Sequence, residues 1–235
     1  MMTAPALRTL ACTALLAVPA GLAAASDDPP SEDLFARALE AAGARTPAAG
    51  AVCGFMAEPS WAEGETFRYE VDPEAGARWH GPDGEVLEER PEGLPENGDN
   101  LIGIVPERVF ASQEPPRFVR WQDGLAIYQL RPVNVPLSGG GFSFDIADNV
   151  VGEAAIDPQT VRFVYRTIRA PESFRPSIAV RIREYETGVE FAPAWEGGPL
   201  VVTATRYAIN ASAMMRTFDL GGENRYGDFR PCEAG

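Results

Sequence analysis

The chain has 235 residues, with 34 acidic against 20 basic side chains and a formal charge of −14 at pH 7. Every basic residue is Arg, which excludes Schiff-base lysine chemistry, a phosphate loop of the GxxxxGK[ST] type and a kinase-type Lys–Glu pair. One His cannot build a three-His zinc site, and the acidic balance argues against sequence-independent nucleic-acid binding.

Residues 1–25 have the pattern of a cleaved secretory signal peptide. Arg8 supplies the positive start, Leu10 to Ala24 the apolar run, and Ala23-Ala24-Ala25 the small-residue cleavage pattern before Ser26. The run is shorter than a bilayer span and is followed at once by Asp27 and Asp28, so no transmembrane span is expected. The expected location is periplasmic or extracellular.

Cleavage removes Cys12 and leaves Cys53 and Cys232. Two cysteines near the two ends of an exported chain predict a disulfide. A crosslink closing so long a loop contributes about 4–5 kcal/mol in the chain-entropy account.

Residues 26–235 fit one mainly β domain of the α+β kind. Ser31 is a suitable N-cap, Glu32 and Asp33 suit the first turn, and Leu34, Phe35, Ala38, Leu39 and Ala42 form one apolar stripe. With Gly43 as the stop, the predicted helix covers Ser31–Ala42.

The period then changes to two. Phe67, Tyr69 and Val71 alternate with polar neighbours, and a turn at Asp72–Gly76 leads to a return strand at Ala77–His80. Pro82-Asp83-Gly84 turns again into Glu85–Leu87, Glu88–Asn100 is a polar loop, and Pro106–Ser112 suits a single helical turn. Arg117–Gln122 and Leu125–Arg131 flank Asp123-Gly124, a two-residue hairpin turn. Ser138 to Gly141 is expected to be a flexible connection. Val150–Ile156 and Val161–Arg169 form the next hairpin, Ile178, Val180 and Ile182 a strand, and Thr187-Gly188 a turn into Val189–Ala192. Pro199–Ile209, Ala213–Phe218 and Asn224–Phe229 complete ten or eleven strands.

Helical crossovers are missing from this order, so the sheet is predicted to be antiparallel. One short helix cannot cover so many strands. The sheet must curl on itself or enclose a cavity.

Little of this chain resembles a catalytic centre, and the expectation is a non-enzymatic protein without a metal or other cofactor. Gly141-Phe142-Ser143-Phe144-Asp145 is only GxSxD and lacks the α/β context of a nucleophile elbow. His80 stands beside a turn near Asp83, as a solvent-exposed side chain. Glu96–Asn100 lacks the spacing of a calcium loop. Asn210-Ala211-Ser212 matches a glycosylation sequon, placed between strands. Paired carboxylates of an acid-type hydrolase remain a lesser alternative. Trp61, Trp79, Trp121, Trp195, Met214 and Met215 either fill an ordinary core or line a lipid pocket in the curved sheet.

Phe67-Arg68-Tyr69-Glu70-Val71-Asp72-Pro73, and Trp121-Gln122-Asp123-Gly124 running to Ile127-Tyr128, are similar to early strands of the periplasmic lipoprotein carriers of the LolA/LolB type and the related RseB-type envelope-stress sensors. The resemblance implies an incomplete β-barrel holding a hydrophobic cavity under helical cover. The expected function is therefore binding of a lipid or acylated lipoprotein in the concave face, with Trp79, Trp121, Tyr128, Met214 and Met215 as candidate ligand contacts. The alternative is a structural or sensor module that binds an envelope protein partner through a sheet face or edge.

Overall fold

A computed structural model of the chain describes residues 28–44, 52–72, 76–96, 101, 109–139, 142–213 and 216–232. The predicted signal peptide, residues 73–75 of the expected turn at Asp72–Gly76, residues 106–108 of the expected turn at Pro106–Ser112, residues 97–100 of the polar loop, and Met214 and Met215 lie outside the described residues.

The helix α1 spans Leu34–Ala44. It begins later than expected because Ser31 to Asp33 form a turn, closed by Leu34 N–H donating to the Ser31 carbonyl at 3.0 Å. Gly43 does not stop it, since the helix continues one residue further. Its apolar stripe is buried through Leu34, Phe35, Ala38 and Ala42.

Fourteen strands are described: β1 Val52–Pro59, β2 Phe67–Asp72, β3 Gly76–His80, β4 Val86–Leu87, β5 Arg117–Gln122, β6 Leu125–Leu130, β7 Pro136–Gly139, β8 Phe142–Asp145, β9 Val151–Asp157, β10 Arg162–Arg169, β11 Phe174–Ser177, β12 Val180–Pro193, β13 Leu200–Ala213 and β14 Arg216–Pro231. The main sheet is antiparallel and follows the order β4-β3-β2-β1-β14-β13-β12-β10-β9-β6-β5, with β11 pairing to β12. Strands β7 and β8 form a separate two-stranded sheet.

The expected hairpin turn at Asp123-Gly124 is present, with φ of 52° and 78° as its tight backbone requires. Several boundaries differ from expectation. Thr187-Gly188 is no turn: β12 runs straight through it, paired to Tyr207 and Arg206 of β13. Gly221-Gly222 likewise lies inside β14 rather than between two strands. The Asn210-Ala211-Ser212 sequon sits within β13, paired to β14, not between strands. Ile178 lies just outside β12 and is 99% exposed.

Strand β1 joins the two ends of the chain. It pairs with β2 on one side and β14 on the other. The expected Cys53–Cys232 disulfide fastens this junction, with a Cα–Cα distance of 4.8 Å and a separation of 179 residues. At that loop length the chain-entropy account assigns it about 5 kcal/mol.

Laid flat, eleven strands would span about 48 Å at the usual strand spacing. Yet one apolar cluster contains Trp79 and Phe55 from one end of the path, Phe163 from its middle and Tyr128 from near the other end. The sheet is therefore curved, and α1 lies in its concavity. Phe35 makes edge contacts with Tyr128 and Phe163 at centroid distances of 5.2 and 5.4 Å, and Phe110 stacks on Phe163 at 3.7 Å. No helix among the described residues is long and apolar enough to cross a membrane.

Candidate functional site

The long strands β12, β13 and β14 extend beyond the reach of α1. Their registers define rows of side chains that share the concave face. Starting near the helix, these are Arg166–Val189–Thr205–Asn224, then Ile168–Thr187–Tyr207–Gly222, Tyr185–Ile209–Leu220, Ile182–Ala211–Phe218 and Val180–Ala213–Arg216. A bulge between Ile182 and Glu184 lets Ile182 and Tyr185 face the same way despite their odd spacing.

The β12 and β13 members of the last three rows belong to a second apolar cluster, in which Val180, Ile182 and Tyr185 pack with Val135, Ile146 and Ile168. Its cover is the β7–β8 hairpin, which contributes Leu137, Phe142 and Phe144. This cover is incomplete. A groove of about 720 Å³ remains between the hairpin and the distal strands, lined by Phe142, Phe144, Ile182, Ile209, Phe218 and Leu220 with Arg216 and Ser138 as polar neighbours. Phe218 and Leu220 are 44% and 54% exposed in its wall.

The hairpin is anchored at its base by Asp145. Its Oδ1 accepts from the backbone N–H groups of Val135 and Ala147, each at 3.0 Å. These bonds, Val135's first, hold the carboxyl below the usual aspartate range. Across the hairpin the Ser138 and Ser143 hydroxyls are 3.0 Å apart. Of the segment expected to be a flexible connection, Ser138 and Gly139 belong to β7, paired to Ser143 and Phe142 of β8, and residues 140–141 lie outside the described residues.

A smaller cavity of about 310 Å³ lies nearer the helix, bordered by Leu94, Leu101, Val189, Thr205, Asn224 and Tyr226. No carboxylate borders either cavity among the described residues. Nor do His, Cys, Asp and Glu gather there in groups of three that could hold a metal.

The aromatic candidates from the sequence occupy the other half of the concave face. Trp79 is buried against Phe55 and Tyr69, at centroid distances of 5.5 and 5.4 Å, and its indole N–H has no hydrogen-bond partner among the described residues. Tyr128 is buried beneath Phe35, and burial pushes its hydroxyl pKa up. Trp121 is half-buried beside Phe118 and donates its indole N–H to the Asp28 carbonyl at 2.8 Å. These three residues support the helix-covered core and do not line the groove. Met214 and Met215 occupy the sequence between β13 and β14 but are not described.

His80 also differs from its expected exposed position. Its side chain is only 15% exposed, with Nε2 3.9 Å from Glu70 Oε2 and Nδ1 3.3 Å from the Gly84 carbonyl; Asp83 is not its partner. The groove residues escaped sequence reasoning because Phe142, Phe144, Ile209, Phe218 and Leu220 look like ordinary strand alternation. The signal lies in the paired strands: β12 to β14 have 14, 14 and 16 residues and outrun an 11-residue helix, whereas the sequence divides β12 and β14 into shorter pieces.

No protein-family model matches the chain, and no curated protein matches it in sequence.

Proposed function

We propose that this is an exported, non-enzymatic binding protein that holds an acyl chain, from a lipid or an acylated partner, in the distal groove of its concave face. The observation that carries this reading is the groove itself: about 720 Å³ of apolar space left between an ordered hairpin and the ends of three long strands. That volume falls within the usual range for small-molecule sites, roughly 300–1,000 Å³. Apolar walls with few polar groups suit a flexible hydrocarbon. Each methylene withdrawn from water contributes about 0.8 kcal/mol, so affinity should rise with chain length until the groove is full.

The disulfide supports an oxidising, exported setting. The curved open sheet with an apolar groove supports this reading, although the groove lies under the β7–β8 hairpin and not under the helix, as the LolA/LolB and RseB resemblance would imply. The polypeptide surface at the groove would serve equally for an apolar side chain of a protein partner, which is an outcome of the same test.

Native mass spectrometry of the mature protein from its own host is the test. The expected spectrum shows the polypeptide plus a lipid-sized mass that disappears after delipidation and returns on adding a long-chain acyl compound. Bare polypeptide that also takes up no acyl compound would overturn the proposal.

A further inference from the structure

Between the two apolar clusters the concave face carries a polar band. Its rows are Arg166–Val189–Thr205–Asn224 and Ile168–Thr187–Tyr207–Gly222. The smaller cavity touches the first row through Val189, Thr205 and Asn224. The groove starts one row past the second, at Ile209 and Leu220. The band thus separates two empty spaces on one surface.

Arg166 is the cation of this band. Its strand neighbours are Ala154 on β9 and Val189 on β12, neither of which can pair with it. Tyr185 is close enough to act on its charge. Its Nε is buried without a hydrogen-bond partner, and no carboxylate stands within ion-pair distance among the described residues.

Several other arginines on the sheet do have a carboxylate. Arg120 meets Glu153 at 2.9 Å, Arg206 meets Glu190 at 2.6 Å and Arg225 meets Glu223 at 2.6 Å. Arg162 Nε is likewise buried without a hydrogen-bond partner among the described residues; what distinguishes Arg166 is its row, on the concave face between the two cavities. Burial pushes its pKa down to about 10, so it still carries its charge at neutral pH. Even partly buried, a cation without a counter-charge is unfavourable, and an anion bound beside it reduces that penalty.

We infer that Arg166 is the anchor for an anionic headgroup, a carboxylate or a phosphate, on an amphiphile whose hydrocarbon tail lies in the distal groove. Guanidinium suits this role because its planar N–H fork matches both oxyanions. Thr187 and Thr205, one and two strands away, offer neutral polar groups around it. The inference rests on the acyl-binding reading and adds the charge class of the ligand.

The test is displacement of a fluorescent apolar probe by dodecanoate, dodecyl phosphate and dodecanol. It is run on the mature protein and on Arg166→Gln, Arg166→Met and Arg216→Gln. The wild type should bind both anions at least ten-fold more tightly than the alcohol. Arg166→Gln and Arg166→Met should bind all three alike, with dodecanol affinity within about two-fold of wild type. Arg216, the cation that lines the groove itself, is the rival anchor, and Arg216→Gln should keep the preference. Loss of the preference in Arg216→Gln, with the preference kept in the Arg166 variants, would overturn the assignment to Arg166. Far-ultraviolet circular dichroism identifies either Arg166 variant that fails to fold, and the other then decides. Equal wild-type affinity for alcohol and anions, or a preference retained without Arg166, would overturn the anchor while leaving acyl binding intact. Failure of all three compounds to bind the wild type would overturn both.

Discussion

The two halves of the concave face share β10 and β12 to β14 and the same alternation, yet one is largely filled and the other is open. In the proximal half α1 lays Phe35 onto Tyr128 and Phe163, Phe110 stacks behind, and Phe55 packs among Tyr69, Trp79 and Tyr226. In the distal half two four-residue strands do the covering, and Phe218 and Leu220 stay half exposed. An apolar row on a curved sheet becomes core or binding surface according to what lies over it. The row's own sequence does not decide.

The strongest break of this comparison is a pair of truncations. Phe55→Ala, at a fully buried site, should cost about 3–5 kcal/mol and leave affinity for an acyl chain nearly unchanged. For a chain this size that lowers Tm by roughly 6–20 °C. Phe144→Ala, at a half-covered site in the hairpin, should cost only about 1–2 kcal/mol but weaken acyl binding several-fold. Thermal melts and probe displacement on both variants check this. A large stability loss from Phe144→Ala without loss of affinity would place it in a packed core.

A smaller effect comes from the hairpin's anchor. The Asp145 carboxyl is held below its ordinary value by two backbone N–H groups, so its contribution is present above the unfolded value of about 3.9. That contribution is lost as the pH falls through the lower folded value. The group is exposed, so the hairpin should loosen in acid while the proximal half stays intact. Amide NMR resonances of Val135 and Ala147 should titrate together with a midpoint below the ordinary aspartate value. A normal midpoint would mean the anchor does not form in solution.

Much of the fold was legible because its signals are local. Alternation at Phe67–Val71, the Asp123-Gly124 turn and the two distant cysteines each report a short-range preference or a simple chemical pairing. The β9–β10 hairpin was equally clear, with Asp157 accepting from Gln159 N–H and Thr160 Oγ in the turn. Strand β1 was missed because its buried positions do not alternate: Phe55 and Gly54 are both buried, between β2 and β14. Thr187-Gly188 reads as a break because glycine weakens a strand locally. In the sheet a glycine also admits a neighbour: a Cβ at Gly222 would lie 2.9 Å from the Tyr207 hydroxyl oxygen.

The site was less legible for a related reason. Large aromatics attract attention in a sequence, but burial inside α1's cover gives Trp79 and Tyr128 structural positions. What makes the groove is a mismatch between the lengths of covering and covered elements, which exists only after the strands have paired.

Ligand-induced shifts in side-chain NMR resonances, measured while titrating dodecanoate, test the central claim most directly. The account predicts that Phe142, Phe144, Ile182, Ile209, Phe218 and Leu220 shift together, with Phe55 and Phe163 unmoved. Shifts centred on Phe163 and Tyr128, with the groove residues silent, would contradict it.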